Sequence, residues 1–222
     1  MPKQKPIRVL ITGFGPFPGA ASNPSGPLVE RLARMRRPAL RDVEIVSHVF
    51  PTRYADVDRD LASLLKAHDP DIILMFGLAA RARHIRVEMR ARNLISSFPD
   101  AGGRAPRNRI IVVGADHRRL APALGMRLLQ AARSFGLKAG LSRDAGRYVC
   151  NYAYWRALED KPASNRQRLA AFIHIPNLRR AGAKKKFARR PDPGFAPLTR
   201  TGNAILLGML AAHRRARLSG RG

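Results

Sequence analysis

Apolar residues fall into two patterns that alternate along the chain: short continuous runs, and longer stretches with an apolar residue every three or four positions. The continuous runs predict buried strands at residues 7–12, 43–49, 71–77 and 170–175. The helical spacing predicts helices that begin after Asn23 and at residues 54–67, 120–135, 151–158 and 203–213. Strands that alternate with helices imply a largely parallel sheet covered on both faces. The pattern therefore indicates an α/β protein.

The middle of the chain follows these patterns less closely. Residues 85–94 alternate well enough to predict a strand, and residues 110–113 predict a short extended piece. Gly136 is expected to end the helix before it. The basic, proline-containing residues 179–197 predict a surface loop within one domain that spans residues 1–222.

Cysteine content and the length of the apolar runs indicate where the protein works. Cys150 is the only cysteine in 222 residues, so the chain forms no internal disulfide and has no second thiolate for a metal site. This usage is typical of a reducing cytosol. The apolar run that follows the basic first residues is too short for a signal peptide or a membrane span. We expect a cytoplasmic protein without a membrane partner.

The charge is strongly positive, with 42 basic residues, 15 acidic residues and a formal net charge of +27. Arginine supplies 34 of the basic residues, which are densest at residues 31–41, 179–190 and 214–221. No zinc-finger spacing, RNA-binding aromatic motif or long basic helix organises them. The composition favours a basic solvated surface, with weak, non-specific and salt-sensitive binding of nucleic acid as the alternative.

The turn after the first strand, Gly13-Phe14-Gly15-Pro16-Phe17, resembles the start of a nucleotide-binding loop. It lacks the third glycine of the dinucleotide pattern, and Pro16 removes a backbone donor that a phosphate would need. We therefore expect no nucleotide cofactor. Phe14 and Phe17 are either walls of an apolar pocket or ordinary core residues, and spacing alone favours the core.

Cys150 is the first candidate for chemistry. A lone cysteine is most often a small buried apolar residue. Here it follows Gly146, which permits a turn, and it precedes the helix predicted at residues 151–158. Backbone N–H groups at a helix start, together with the helix dipole, stabilise a thiolate. The position therefore favours a nucleophile.

His174 and Glu88 are candidates for the groups that serve this thiol. His174 lies in an apolar strand, where a structural histidine is the usual interpretation. It stands, however, at the carboxyl end of that strand, where α/β sheets place their sites. Glu88 is one of four glutamates and lies on an otherwise apolar strand. We expect it either to orient the imidazole or to form an ion pair with an arginine.

Four blocks of sequence, in order from Val9 to about Pro176, resemble the pyroglutamyl peptidases of type I, also called pyrrolidone-carboxylate peptidases. The blocks are Thr12-Gly13-Phe14-Gly15-Pro16-Phe17 with Asn23-Pro24-Ser25, Val87-Glu88 with Ala91 and Asn93, Ser142 with Ala145-Gly146, Tyr148 and Cys150-Asn151, and Phe172-Ile173-His174-Ile175-Pro176. The resemblance implies an α/β/α sandwich that acts as a cysteine peptidase and forms homotetramers.

The resemblance also implies a reaction and a role for each candidate residue. Members of this family remove an N-terminal pyroglutamyl residue from peptides, without a metal or other cofactor. By the matching blocks, Cys150 corresponds to the nucleophile, His174 to the base and Glu88 to the residue that orients the base. The backbone N–H of Cys150 is the expected oxyanion donor. Phe14 and Phe17 match the positions that sandwich the pyrrolidone ring.

Two positions depart from the pattern of the family. Leu78 replaces a glutamine that lies beside the substrate. Ser97 replaces an arginine of the oxyanion site, after an apparent one-residue deletion. Loss of one oxyanion donor lowers the rate on the order of 10²-fold or more, unless Arg90 or Arg92 takes its place.

Three functions are compatible with these observations. The first is a pyroglutamyl peptidase that acts on N-terminally pyroglutamylated peptides or small amides. The second is a cysteine amidase of the same fold with altered pyroglutamyl specificity, which Leu78 and Ser97 favour. The third is a non-catalytic basic protein whose binding of polyanions weakens steeply with salt and does not depend on Cys150.

Overall fold

Strands and helices alternate along the chain, as the apolar pattern predicts. A computed structural model describes residues 5–121, 124–162, 168–178 and 194–219. The strands within these ranges are β1 (Ile7–Phe14), β2 (Val43–Phe50), β3 (Ile72–Leu78), β4 (Ile85–Glu88), β5 (Arg90–Arg92), β6 (Arg118–Leu120), β7 (Ala139–Ser142) and β8 (Leu169–Ile175). The α-helices are α1 (Ser25–Ala33), α2 (Tyr54–His68), α3 (Gly125–Arg133), α4 (Val149–Glu159) and α5 (Phe195–Ser219).

Six of these strands form one mixed sheet, in the order β2-β1-β3-β8-β4-β7. β1, β2, β3 and β8 are parallel to one another, whereas β4 runs antiparallel to β8. β7 pairs with β4 in parallel, so the last two strands both run against the other four. β5 and β6 form a separate two-stranded antiparallel ribbon. The predicted α/β fold with a largely parallel sheet is confirmed.

Helices cover both faces of the sheet, because successive residues of a strand point to opposite sides. Along β1, Val9 and Ile11 join the core that α1, α3 and α5 close. Leu10 and Phe14 join the core that α2 and α4 close. Every residue of β3 is buried, as expected of a central strand that is covered on both faces. The fold is therefore a three-layer α/β/α sandwich.

The reversed strand β4 places its polar residues, Arg86 and Glu88, against β8. Arg86 pairs with His174 and Glu88 pairs with Phe172 in the antiparallel register. Side chains two residues apart on paired strands lie diagonally within reach of one another. Glu88 and His174 therefore meet on one face of the sheet, and Phe172 shows that this is the face covered by α2 and α4.

The middle of the chain differs from its prediction. The strand predicted at residues 85–94 is broken at Met89, so that β4 stays in the sheet and β5 leaves it to pair with β6. Met89 donates its N–H to the Ser142 carbonyl on one side and accepts the Ala121 N–H on the other. These two bonds turn the chain from one sheet to the next. Residues 110–113 form no strand, and that prediction is wrong.

The helix predicted at residues 120–135 begins later than expected. Leu120 ends β6 and is 67% exposed, so its helical spacing from the following leucines is coincidental. The helix begins at Gly125 and ends at Arg133. Gly136 follows it with a φ of 75°, in the conformation that a helix-ending glycine is expected to adopt.

The last helix is much longer than predicted. It begins at Phe195, so the end of the loop predicted at residues 179–197 is helical. Pro197 indicated a loop, but a proline in the first turn of a helix sacrifices no hydrogen bond. Residues 179–193, which make up most of that loop, lie outside the described ranges.

Two features are absent from the described part of the chain. None of its helices is both long enough and apolar enough to cross a membrane. It also has no group of three or more His, Cys, Asp or Glu side chains placed to hold a metal ion.

Candidate active site

Cys150 stands in the first turn of α4, at the position that the sequence predicts. The chain reaches it through a turn in which Gly146 has a φ of 83°, a conformation that other residues rarely adopt. The Asp144 carboxylate fixes this turn by accepting the Gly146 N–H at 3.0 Å. Cys150 is partly exposed as a residue, but its sulfur is buried. The turn and the helix together aim Cys150 at the sheet.

The start of α4 offers free backbone donors. Its N-cap residue, Tyr148, is extended and makes no capping hydrogen bond with its side chain. The first N–H groups of a helix have no partner within the helix. The N–H of Cys150 is one of these groups, which suits the oxyanion donor expected from the sequence.

Gly77 of β3 makes room for the thiol. A Cβ added to Gly77 would lie 2.8 Å from the Cys150 sulfur and 2.8 Å from Cζ of Phe172, closer than such atoms pack. Gly77 pairs with His174 of β8, and paired strands lie about 5 Å apart. The thiol is therefore close to the imidazole, although the described residues show no hydrogen bond between the two. Catalytic hydrogen bonds often shorten only when substrate binds.

His174 and Glu88 form the buried centre of the site. His174 Nδ1 lies 2.8 Å from Glu88 Oε1, and the two residues are 5% and 1% exposed. A carboxylate at Nδ1 holds the proton on that nitrogen and leaves a lone pair on Nε2. The structure thus brings together the three residues that the sequence singles out for catalysis.

Glu88 also contacts an arginine, so both interpretations of this glutamate apply. Arg86 Nε lies 3.3 Å from Glu88 Oε1, the oxygen that faces His174. The other oxygen, Oε2, has no hydrogen-bond partner among the described residues. Tyr154 of α4 donates its hydroxyl to the backbone carbonyl of Glu88 at 3.1 Å. The carboxylate is therefore held through a single oxygen.

Burial of the sulfur and the negative charge of Glu88 together raise the pKa of the Cys150 thiol to about 12. The backbone N–H of Cys150 acts in the opposite direction but does not compensate. Burial and Glu88 therefore act against the thiolate that the sequence predicts at the helix start. The thiol must lose its proton as it attacks, and a nearby base has to accept that proton.

Aromatic side chains lie beside the turn that carries Cys150. The ring of Phe17 is half-buried and its centre lies 5.8 Å from that of Tyr148. Phe98, which is 53% exposed, lies 6.1 Å from the same ring. Phe14, by contrast, is completely buried in the core. Tyr148 and Phe98 were not predicted as site residues, although Tyr148 belongs to the sequence block around Cys150 that resembles the family.

Leu78 and Ser97 lie in different surroundings. Leu78 ends β3 and is 5% exposed. Its strand partner, Ile175, belongs to the core on the sheet face opposite Cys150. Any contact between Leu78 and a substrate would therefore be made from the sheet edge, and the predicted contact stays a prediction. Ser97 is exposed.

The two arginines that could replace a missing oxyanion donor are engaged elsewhere. Arg90 Nε donates to the Arg143 carbonyl at 2.7 Å, and Arg92 Nη1 lies 3.2 Å from Asp144 Oδ1. Partial burial acts to raise the pKa of Asp144, but the Gly146 N–H and Arg92 outweigh it and lower that pKa. Both guanidinium groups therefore brace the turn before the nucleophile.

Asn151 anchors the nucleophile helix to the ribbon. Its side chain is completely buried and accepts the Arg92 N–H at 2.8 Å. Its amide nitrogen donates to the carbonyls of Arg92 and Leu94, at 2.8 and 2.9 Å. The side chain therefore fixes the start of α4 against β5, a role that the residue's position next to Cys150 does not reveal.

Comparison with known proteins identifies the family. A family model described as pyroglutamyl peptidase matches residues 7–205. The chain belongs to the pyroglutamyl peptidase family. It is 31% identical over 191 residues to the pyrrolidone-carboxylate peptidase of Thermococcus onnurineus, which covers 86% of this chain and 91% of the relative. It is 33% identical over 172 residues to that of Clavibacter michiganensis, with 76% of this chain and 78% of the relative covered.

Solved pyroglutamyl peptidases share the fold. The structure of Bacillus amyloliquefaciens pyroglutamyl peptidase I superposes with a TM-score of 0.78 and 28% identity, over 92% of this chain and 97% of that one. The pyrrolidone carboxyl peptidase of Thermococcus litoralis gives a TM-score of 0.79 and 26% identity, over 91% and 93%. The resemblance inferred from the four sequence blocks is confirmed.

Alkylation by iodoacetamide is expected to report the raised pKa of Cys150, because only the thiolate reacts. We expect the rate to rise about tenfold per pH unit between roughly pH 7 and pH 9 without levelling off. Glu88→Gln removes a charge that raises this pKa, so alkylation should be faster at each pH. Intact mass measures the reaction at the only cysteine. A rate in the unchanged protein that already levels off near neutral pH would contradict this.

Gly77→Ala should impair a folded enzyme, since the added methyl would displace the Cys150 sulfur. We expect turnover of a pyroglutamyl amide to fall about tenfold or more, and the free energy of unfolding to fall by about 1–3 kcal/mol. Gly140→Ala in β7 is the matched control, because its Cβ would meet nothing closer than 3.4 Å. Equal activity of the two variants would show that the close approach at Gly77 is unimportant.

Proposed function

We propose that this member of the family removes N-terminal pyroglutamate from peptides, with Cys150 as nucleophile, His174 as general base and Glu88 as the residue that orients the base. The observation that carries the proposal is the 2.8 Å contact between His174 Nδ1 and Glu88 Oε1, beside the only thiol of the chain. A buried carboxylate, an imidazole and a thiol in this sequence of contacts form an acyl-transfer site.

The first half of the reaction forms a thioester. His174 Nε2 accepts the thiol proton while the sulfur of Cys150 attacks the carbonyl carbon of the pyroglutamyl residue. Glu88 stabilises the imidazolium that results. The N–H of Cys150 at the start of α4 donates to the oxyanion. Imidazolium then gives its proton to the leaving amine as the C–N bond breaks, which releases the shortened peptide.

The second half of the reaction restores the thiol. His174 accepts a proton from a water molecule, whose oxygen attacks the thioester carbonyl. The C–S bond breaks, free pyroglutamate leaves, and the proton on His174 returns to the sulfur of Cys150. Each half uses the same base and the same oxyanion donor, so no metal is required for the proton transfers.

Aromatic rings near the nucleophile suit the uncharged ring of the substrate. Pyroglutamate is a flat lactam without a free amino group, so its recognition calls for apolar faces and a few hydrogen bonds. Phe17 and Tyr148 offer partly exposed rings beside Cys150. Phe14 is completely buried and its ring packs on Phe50 and Phe172, so its contact with the pyrrolidone ring stays a prediction.

A second candidate function is a cysteine amidase with altered pyroglutamyl specificity. The observation that favours it is the exposed Ser97, since Arg90 and Arg92 are both bound to the turn before Cys150. No corresponding observation favours the polyanion-binding hypothesis as the main function. Weak binding of nucleic acid by the basic surface stays a prediction, as does a cytoplasmic location.

We also expect the protein to form a homo-oligomer, with a tetramer as the specific prediction. Exposed apolar side chains suit such an assembly. Val113 is 83% exposed and Ile110 is 46% exposed, three residues apart in the chain. Large apolar side chains on one segment are more often found at subunit contacts than on free surfaces.

Hydrolysis of a pyroglutamyl-linked fluorogenic amide under reducing conditions tests the function. We expect Cys150→Ser to abolish release and Glu88→Gln to lower kcat on the order of 10³-fold with KM little changed. His48→Asn is the matched control, because His48 Nε2 lies 3.2 Å from Asp60 Oδ2 in a similar pair away from the thiol. It should retain normal activity.

Two outcomes of this assay would overturn the proposal. Release that does not depend on Cys150 would exclude a thiol mechanism. Cys150-dependent release that is as fast from alanyl or acetyl amides as from the pyroglutamyl amide would favour the amidase instead.

Ser97→Arg tests whether an oxyanion donor is missing. If the exposed Ser97 leaves the site one donor short, an arginine there should raise kcat by roughly 10-fold to 100-fold. Ser96→Arg, one residue earlier on the same segment, controls for the added charge. Unchanged kcat in Ser97→Arg would mean that the N–H groups of α4 already suffice.

A further inference from the structure

Arg86 stands where three strands of the site meet. It lies on β4, directly opposite His174 of β8 and Gly140 of β7. Its side chain is 31% exposed, whereas the Glu88 side chain beside it is fully buried. This arginine therefore reaches from the solvent into the centre of the site.

The guanidinium group connects Glu88 to the segment that leads into Cys150. Its Nε lies 3.3 Å from Glu88 Oε1 and donates to Ser142 Oγ at 3.2 Å. Its Nη2 donates to Ser142 Oγ and to the Asp144 carbonyl, both at 2.6 Å. Charged donors in a rigid planar group hold their partners more firmly than neutral ones. One side chain thus ties the carboxylate to β7 and to the turn after it.

We propose that Arg86 is a positioning residue of the catalytic site, which fixes Glu88 Oε1 for His174 and places a positive charge beside that pair. This inference rests on the function proposed above. Among the described residues, Arg86 makes no hydrogen bond to Cys150, and we infer that it acts through Glu88.

Electrostatics gives the direction of the effect. A protonated His174 would share Glu88 Oε1 with the guanidinium, so two positive charges would lie within about 6 Å of each other. At this separation the two charges repel each other, even after partial screening by solvent. The other ionisable groups that face this cluster are Cys150 and Tyr154 from α4, Asp144 from the turn, and Arg90 and Arg92 from β5.

These other groups do not duplicate the effect of Arg86. Arg90 and Arg92 donate to residues 143–144 and not to Glu88. Asp144 turns its carboxylate to Arg92 and to the Gly146 N–H. Tyr154 donates its hydroxyl to the backbone carbonyl of Glu88 and not to the carboxylate. Within the described part of the chain, Arg86 is therefore the arginine that pairs with the Glu88 carboxylate.

Arg86→Met and Arg86→Lys separate the charge from the shape of the side chain. For Arg86→Met we expect the acid limb of the kcat/KM profile to move to higher pH, because the positive charge beside the pair is gone. We also expect kcat to fall about tenfold while KM stays within about twofold. Arg86→Lys should keep the acid limb in place and recover part of kcat, because it keeps the charge without the planar fork.

Arg8→Met provides the matched control. Arg8 is 34% exposed and lies 3.2 Å from Asp69 Oδ2, so the variant removes a similar half-buried ion pair near the other end of the sheet. It should change neither the acid limb nor kcat. Thermal unfolding of every variant checks that the fold is retained, and Arg86→Gln replaces Arg86→Met if the methionine variant does not fold.

A measurement without turnover keeps this inference separate from the proposed function. The pH titration of the His174 ring, followed by NMR in the free protein, should move to higher pH in Arg86→Met and not in Arg86→Lys or Arg8→Met. If this shift occurs but no pyroglutamyl substrate is cleaved, the function fails and the role of Arg86 stands. If the titration and the acid limb of Arg86→Met match those of the unchanged protein, the role of Arg86 is overturned.

Discussion

The site depends on the buried carboxylate of Glu88. A buried charge without partners destabilises a fold by several kcal/mol, so Glu88 requires the donors that surround it. His174 reaches it across the sheet at 2.8 Å and Arg86 reaches it along its own strand at 3.3 Å. Both meet the same oxygen. The geometry of the candidate base is therefore set by the need to compensate this one charge.

Strand direction makes that compensation possible. If β4 ran parallel to β8, its polar residues would meet β8 in a different register. Because it runs antiparallel, Arg86 lies opposite His174, and Glu88 lies diagonally across from it. The break at Met89 then lets the chain leave the sheet and form β5. The side chain of Asn151, at the start of α4, binds the backbone of β5. The same reversal thus positions His174 and braces α4, which carries Cys150.

Local sequence predicts those parts of the protein that depend on local pattern. The strands around His174, the helix that follows Cys150 and the alternation of layers all follow from periodicity. The break at Met89 and the length of α5 do not, because they depend on pairing with residues distant in the chain and on the tolerance of a first-turn proline. The raised pKa of Cys150 could not be predicted from local sequence either, since it arises from burial and from Glu88, 62 positions away. Gly77 appears in sequence as an ordinary strand end.

A resting site of low charge suits the proposed substrate. The thiol is neutral and the charge of Glu88 is balanced by Arg86, so these groups present little net charge to a ligand. A lactam ring without a free amino group then enters without having to compensate a buried ion. Charge develops only when the sulfur attacks, at the moment when the N–H groups of α4 and the Glu88 carboxylate can stabilise it. Interactions that form only at that stage lower the activation barrier without making the substrate bind more tightly. This is the condition for a higher kcat.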